Sequence, residues 1–328
     1  MALSSAQIIS FLSLKGIGSK AVQILNNYVI DNSIPINTND DMLDLINYCI
    51  SNKILPRIKE PFEVWEIDRA IEETTRMLDH SDRLGIQTVG YNDDLFPDSL
   101  RNIKDAKGKS NAPLVLFIKG NTGVLTFERS IAIIGTREPT IAGSKAGIFF
   151  SEQFAKAHFN IVSGLALGCD TTAHRGALNV GGITTAFLAA GLDMPIYPSE
   201  NKILAEEIIA NNGALISEYP IGTVAMANRF VERDRLQSGL AKATLAIQTG
   251  IKGGTLHAVN ATLDNNKPLY MVQFKGNELY HEKVQGNQHF LNSHKAAPIT
   301  TDNYQSIIEF LTSYSNDTNN SQPSLFDF

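Results

Sequence analysis

The sequence predicts an α/β protein: a Rossmann-like, mostly parallel sheet with helices on both faces, preceded by a small helical N-terminal domain. Three observations carry this. From Gly85 onward, short β-branched runs alternate with amphipathic helical stretches. Four of those runs are each followed by a glycine-containing loop. Before about residue 84 the chain reads as helix.

Strands are read at Ile131–Ile134, Asn160–Val162, Ile183–Leu188, Ala214–Ile216, Thr244–Gln248 and Leu269–Val272. Helices fill several gaps, for example Ser144–Ala157 and Leu204–Asn211. Apolar strands separated by helices make βαβ units and a mostly parallel sheet. Such a sheet takes ligands at the carboxyl ends of its strands.

The expected organisation is a helical accessory domain over residues 1–84, a Rossmann-like domain over 85–312 and a tail over 313–328. In the first part, Gly16-Ile17-Gly18 joins two apolar helical runs, the pattern of a helix-hairpin-helix. The glycines permit a sharp turn whose N–H groups can meet a backbone phosphate, and Lys15 and Lys20 add charge. The same residues equally suit a plain helical hairpin packed on its neighbours. A second helical stretch, about Glu63–Leu84, is rich in Glu and Asp and is expected to show a solvated face. The tail is rich in Ser, Asn and Asp and is expected to be flexible.

The 328 residues are 43% hydrophobic and 19% charged, ordinary for a globular chain with a sizeable core. A net charge of −6 argues against a surface coated for duplex DNA, while leaving room for a local basic patch. Cys49 and Cys169 are far apart in sequence and have no CxxC partner, so neither a zinc site nor a disulfide framework is expected. The amino terminus lacks a signal-peptide pattern. The longest apolar stretch, about Ile183–Leu192, is too short to span a bilayer. A cytoplasmic protein without a membrane partner is expected.

The chemistry is concentrated in the loops. Gly135-Thr136-Arg137 follows the first strand; a small residue lets the backbone approach an anion, and Arg137 can pair with phosphate. The second loop is Ser163-Gly164-Leu165-Ala166-Leu167-Gly168-Cys169-Asp170, with Asp170 read as a helix N-cap. The third is Ala190-Gly191-Leu192-Asp193. The fourth, Thr249-Gly250-Ile251-Lys252-Gly253-Gly254-Thr255, opens a helix at Leu256. Successive N–H groups in such loops form anion-binding nests. No loop matches G-x-G-x-x-G or G-x-x-x-x-G-K-[ST], so the usual NAD and ATP modes are not expected, and no cofactor is assigned. His174 reads as a hydrogen-bonded structural histidine and Cys169 as packing; no catalytic residue is assigned.

Several segments resemble the DprA/Smf family in order along the chain. They are Tyr91-Asn92-Asp93-Asp94-Leu95-Phe96-Pro97-Asp98-Ser99-Leu100, then Pro113 to Asn121, which looks like the family's next strand, then Gly135-Thr136-Arg137. The run Ser163 to Leu178 is similar to the family signature S-G-x-A-x-G-x-D-x-x-A-H-x-x-A-L. Tyr197-Pro198, Asn201-Lys202, Ser217-Glu218-Tyr219-Pro220 and Gly286-Asn287 continue the match. The resemblance covers about Gly85 to Leu311. It implies single-stranded DNA binding, a homodimer and help in loading a RecA-type recombinase. It also implies a phosphate pocket built from Arg137, Lys202, Arg233 and Arg235, beside Ser163, Gly164, Gly253, Gly254 and Thr255. Phe230 is a candidate for stacking on a base or for the core. Where the family has F-P-x-R-N-R, this chain has Phe230-Val231-Glu232-Arg233-Asp234-Arg235, so Glu232 and Asp234 place negative charge beside both arginines. A carboxyl-terminal winged-helix domain, which many members carry, is not expected.

In the tail, Gln322-Pro323-Ser324-Leu325-Phe326 resembles the Q-x-x-L-F peptide that docks on the β sliding clamp. Gln322 would make the polar contact, and Leu325 and Phe326 would be the apolar anchors. Two rival functions share the fold: a nucleoside-monophosphate phosphoribohydrolase and a sensor of a nucleotide-derived ligand. The first expects a glutamate soon after Thr255, where this chain has Leu256-His257-Ala258-Val259. Glu232 and Asp234 keep the second open.

Overall fold

The structure is a computed structural model and describes residues 2–313. Four helices come first: α1 (Ser5–Ser13), α2 (Ser19–Asp31), α3 (Asn39–Ser51) and α4 (Val64–Arg83). Their starts follow capping chemistry. Ser4 and Gln7 form a reciprocal capping box on α1, and Thr38 and Asp41 form one on α3. Gly16 and Gly18 join α1 to α2, in the segment read as a helical hairpin. The helices share one core with the sheet: Phe11, Leu25 and Ile46 belong to the cluster that includes Ile86, Phe117 and Leu215. Ser5 Oγ donates to Asp93 at 2.8 Å, and Asn92 Nδ2 donates to the Leu3 carbonyl at 2.7 Å, fastening the two parts together.

The rest of the described chain is an alternating α/β unit. Its elements run β1 (Ile86–Gly90), a short α5 (Asp98–Arg101), β2 (Val115–Gly120), β3 (Ser130–Ile134), α6 (Ile141–Lys156), β4 (Asn160–Ser163) and α7 (Cys169–Asn179). They continue with β5 (Thr184–Leu188), α8 (Lys202–Ala210), β6 (Ala214–Ser217), α9 (Ala227–Leu240), β7 (Ala243–Ala246), α10 (Thr255–Asp264), β8 (Leu269–Val272), α11 (Gln285–Asn292), β9 (Ala297–Ile299) and α12 (Tyr304–Ser313). The nine strands form one sheet in the order β1-β2-β6-β5-β4-β3-β7-β8-β9. From β6 to β9 every pairing is parallel, while β1 and β2 add on antiparallel.

Each of the six strands read from sequence is present. β2 falls in the Pro113–Asn121 segment that resembles the family's strand, and the sheet adds β1 and β9. β3 to β8 are buried almost throughout, as parallel strands covered on both faces must be. Helices α6, α7, α8 and α12 cover one face, and α5, α9, α10 and α11 the other. No helix among the described residues is long and apolar enough to cross a membrane. The clamp-like peptide with Gln322, Leu325 and Phe326 lies outside the described residues.

The sheet order reverses between β3 and β7: successive strands from β3 to β6 step one way, and β7 returns to pair with the other side of β3. The loops leaving the carboxyl ends of β3 and β7 therefore diverge and leave a crevice.

Candidate anion and nucleic-acid site

A cavity of about 800 Å³ fills that crevice. Its walls come from the β3 loop (Gly135, Thr136, Arg137), the β7 loop (Thr249 to Thr255) and one side of α9 (Phe230, Arg233, Asp234, Gln237). The β3 loop is held at several points. Thr136 N–H donates to the Gln248 carbonyl at 2.8 Å, and Thr140 N–H donates to the Gln248 side chain at 2.9 Å. Glu278 accepts from Thr140 Oγ1 and from Gln248 Nε2. Lys283 donates to the Glu138 carbonyl and pairs with its carboxylate. Arg137 itself projects into the opening, exposed, with its guanidinium carbon 5.7 Å from the centre of the Phe230 ring. That ring in turn lies 5.5 Å from the ring of Tyr197, which is 58% exposed. The cavity thus has an aromatic wall beside an exposed cation.

The β7 loop is fixed at its root by Asn287. Its side chain accepts from Thr249 N–H at 2.9 Å and donates to the carbonyls of Ile247 and Val272. Beyond that root the loop is open. Gly253 has φ of +140°, a region L-residues rarely adopt, and no atom lies within 4 Å of a Cβ added at Gly253 or Gly254. Lys252 lines the same rim. Thr255 is the first residue of α10 and also faces the cavity.

Arg233 lies at the floor, 3% exposed. Its Nε stands 3.7 Å from Asp234 Oδ1, and neither Nε nor Nη1 has a hydrogen-bond partner. Gln237 is equally buried, with Oε1 unpartnered. Asp170 and Asp234 face this arginine from α7 and α9. Burial pushes the Asp234 carboxyl up to about 6, with Asp170 adding to the rise and Arg233 and Arg137 opposing it. Burial likewise raises Asp170, against Arg233 and the N–H groups of Ala166 and Gly164.

Asp170 does not cap α7. The helix starts two residues earlier, at Cys169 after Gly168, and Gly168 has no side chain to cap with. From the first turn, the Asp170 carboxylate instead accepts from Gly164 N–H at 3.2 Å and Ala166 N–H at 3.3 Å, folding the preceding loop back over the helix. The physical reason is the tight Leu165–Gly168 turn, which brings those amides within reach of the helix start. Ser163 is fully buried, and its hydroxyl donates to the Ile133 carbonyl at 2.7 Å, inside the sheet.

The remaining arginine and lysine are placed elsewhere. Arg235, two residues beyond Arg233, lies on another side of α9, because a helix turns about 200° over two residues. Its guanidinium makes two hydrogen bonds to Glu218, at 2.8 Å and 2.6 Å. Lys202 begins α8, is exposed, and does not line the cavity. Its neighbour Asn201 is buried and donates to the carbonyls of Leu165 and Ala166, so the loop after β4 is held by Asn201. The loop at Gly191 borders Arg233 from the side of Gly164. His174 is fully buried, bonded through Nδ1 to Thr184 Oγ1 at 2.6 Å, and pushed down to about 3 by burial and then Arg233, so it is neutral. The Cys169 thiol is buried and pushed up to about 12. Among the described residues no cluster of His, Cys, Asp and Glu suits a metal ion.

Tyr197, Asp234, Gln237 and Gln248 were not read as site residues from sequence. Tyr197 carried a signal as an aromatic just after a strand-end loop, and Asp234 as a negative charge beside the arginines; Gln237 and Gln248 depend on which side of a helix or strand meets the cavity.

Fold and cavity together define a Rossmann-like α/β protein with an arginine-lined, glycine-rimmed crevice at its topological switch point. Within that class the chain belongs to the DNA recombination-mediator protein A family, which residues 87–312 match. DNA processing protein DprA of Bacillus subtilis is 31% identical over 207 residues, 63% of this chain and 67% of that protein. Protein Smf of Escherichia coli is 33% identical over 161 residues, 49% of this chain and 42% of that protein. Protein Smf of Synechocystis is 39% identical over 142 residues, which are 35% of its length, so the chain matches well under two thirds of these two Smf proteins. The crystal structure of DprA from Streptococcus pneumoniae superposes with a TM-score of 0.75 at 22% identity, over 96% of this chain and 99% of that one. A structure of DNA processing protein A from Helicobacter pylori, concerned with that protein's single-stranded DNA binding mode, matches at 29% identity and a TM-score of 0.59, covering 69% of this chain and 96% of that one.

Proposed function

We propose that this protein binds single-stranded DNA in the switch-point cavity as part of DNA processing and recombination. The observation that carries the reading is the coexistence of exposed Arg137 and the unobstructed Gly253-Gly254 backbone with the Phe230–Tyr197 wall. Cation and amides suit a phosphate, and the aromatic wall suits a base. A duplex offers no free base faces, whereas a single strand does. Family membership and the Helicobacter pylori relative support the same ligand.

The protein acts as a binder, not an enzyme, in this reading. Both carboxylates at the floor face Arg233, and His174 is occupied with Thr184. The finer part of the proposal is a cytoplasmic homodimer that hands its strand to a RecA-type recombinase. The support for it is family membership.

The test is a titration of fluorescent oligothymidylate against the wild-type protein and Arg137→Ala over a range of salt. The wild type should bind, and the variant should bind more weakly, with a salt slope shallower by about 0.7 for one lost phosphate contact. A wild type with no affinity at low salt overturns the reading.

A further inference from the structure

A second cavity, of about 830 Å³, opens on the far side of α9, between the amino-terminal helices and the α/β unit. Val231 and His257 line both cavities, so the two adjoin across the ridge formed by α9 and α10. We propose that this cavity is a second single-stranded DNA subsite, continuing the strand held in the first across the Val231–His257 ridge. The proposal rests on the single-stranded DNA reading of the first cavity.

Charge is the first argument. The chain carries −6 overall, yet Lys20 of α2 and Lys104 both line this cavity and both are exposed. Lys107 and Lys109, on the same loop as Lys104, are exposed as well. The loop is built to present them: the Asp105 carboxylate accepts from the N–H groups of Lys107 and Lys109, both at 2.9 Å. Gln23 Nε2 then donates to Ser110 Oγ at 2.8 Å and fixes the loop against α2.

Of the acidic neighbours, Glu218 is neutralised by a cation. Glu218 is taken by Arg235, Glu232 accepts from the Tyr219 hydroxyl at 2.8 Å, and Asp105 serves its own loop. Asp105, Glu232 and Asp264 keep their charge at this wall, and Lys20 and Lys109 act on Asp105, so the four exposed lysines exceed the unpaired carboxylates by one. Tyr219 also lies on this wall, with the Arg229 guanidinium 5.2 Å over its ring as a further cation. The Gly16-Ile17-Gly18 hairpin gains a role here, since it sets the start of α2 and so places Lys20.

The experiment compares the full-length protein with Lys20→Glu/Lys104→Glu on two oligothymidylates, of about five and about twenty nucleotides. The short one spans one cavity and the long one spans both. The wild type should hold the long oligomer more tightly. The double variant should lose about ten- to thirty-fold on the long oligomer, with a salt slope shallower by about 1.4, and should hold the short one as the wild type does. Both lysines are exposed, so an unchanged melting temperature is expected and controls for folding. Equal binding of the long oligomer by variant and wild type overturns the second subsite, while Arg137→Ala still reports on the first. Equal loss on both oligomers also overturns it, because the lysines would then act as a general field. If the wild type binds neither, both readings fall.

Discussion

The guanidinium of Arg233 packs directly on the backbone of Gly164: a Cβ added to Gly164 would fall 1.3 Å from Nη1. Glycine after β4 is therefore required by the arginine, not by a turn. Gly164→Ala should expel Arg233 from the floor and strain the loop, costing about 1–3 kcal/mol. Oligothymidylate affinity should fall with it. Thermal unfolding and the titration, run on the same sample, check both effects; an alanine variant with wild-type affinity would show that Arg233 contributes nothing to binding.

Arg235 behaves differently although the sequence pairs it with Arg233. It forms a part-buried ion pair with Glu218, the two side chains being 13% and 15% exposed. Arg235→Ala should strand a part-buried carboxylate and cost up to about 3 kcal/mol of stability. Removing both partners, Arg235→Met with Glu218→Leu, should recover much of that loss. Denaturant unfolding of the three variants decides it: if the double variant is no more stable than Arg235→Ala, the pair is not what Arg235 contributes.

Asp234 makes a pH prediction. Its carboxyl rises from 3.8 to about 6 on folding, so the folded protein takes up a proton between those values. The contribution of Asp234 is thus most favourable below about pH 4 and is lost as pH rises through about 6, a swing of about 3 kcal/mol. Asp234→Asn should be more stable than the wild type at neutral pH, with the difference shrinking toward pH 4. The His174 contribution runs the opposite way, being lost as pH falls from about 6.5 toward about 3, and cancels in that comparison. Binding should also tighten from about pH 7 to about pH 5, because protonation removes a negative charge beside Arg233 and Arg137. Melting curves and titrations across that range test both, and Asp234→Asn should abolish most of the binding trend.

Glu278 fastens the loop that presents Arg137. It accepts from Thr140 and Gln248, and no ligand-facing group is removed by changing it. Glu278→Ala should cost about 1 kcal/mol of stability. It should weaken oligothymidylate binding less than Arg137→Ala while leaving the salt slope unchanged. A change in slope equal to that of Arg137→Ala would instead mean that Arg137 leaves the site when the latch is lost.

The βαβ alternation, six of the nine strands and the glycine loops at their ends were legible in the residues alone, because periodicity and loop composition are local properties. Locality also explains what was missed. β1 is held antiparallel by β2, and β9 is held by β8, while β2, legible through the family resemblance, is held by β6 far along the chain. Arg137 is placed by the strand it follows, so its position at the crevice could be read in advance. Arg233 and Arg235 are two residues apart on one helix, and the sequence gives them equal standing. The side of α9 that meets the cavity is set by how the helix packs on β3, β4 and β5, and that packing sends one arginine to the floor and the other to Glu218. Asp170 likewise looks like a cap until the loop folds its amides onto the carboxylate. The sequence by itself determined the fold class and which loops bear the chemistry. Only the tertiary structure decided which charges face the crevice, because that depends on helix rotation and on partners distant in sequence.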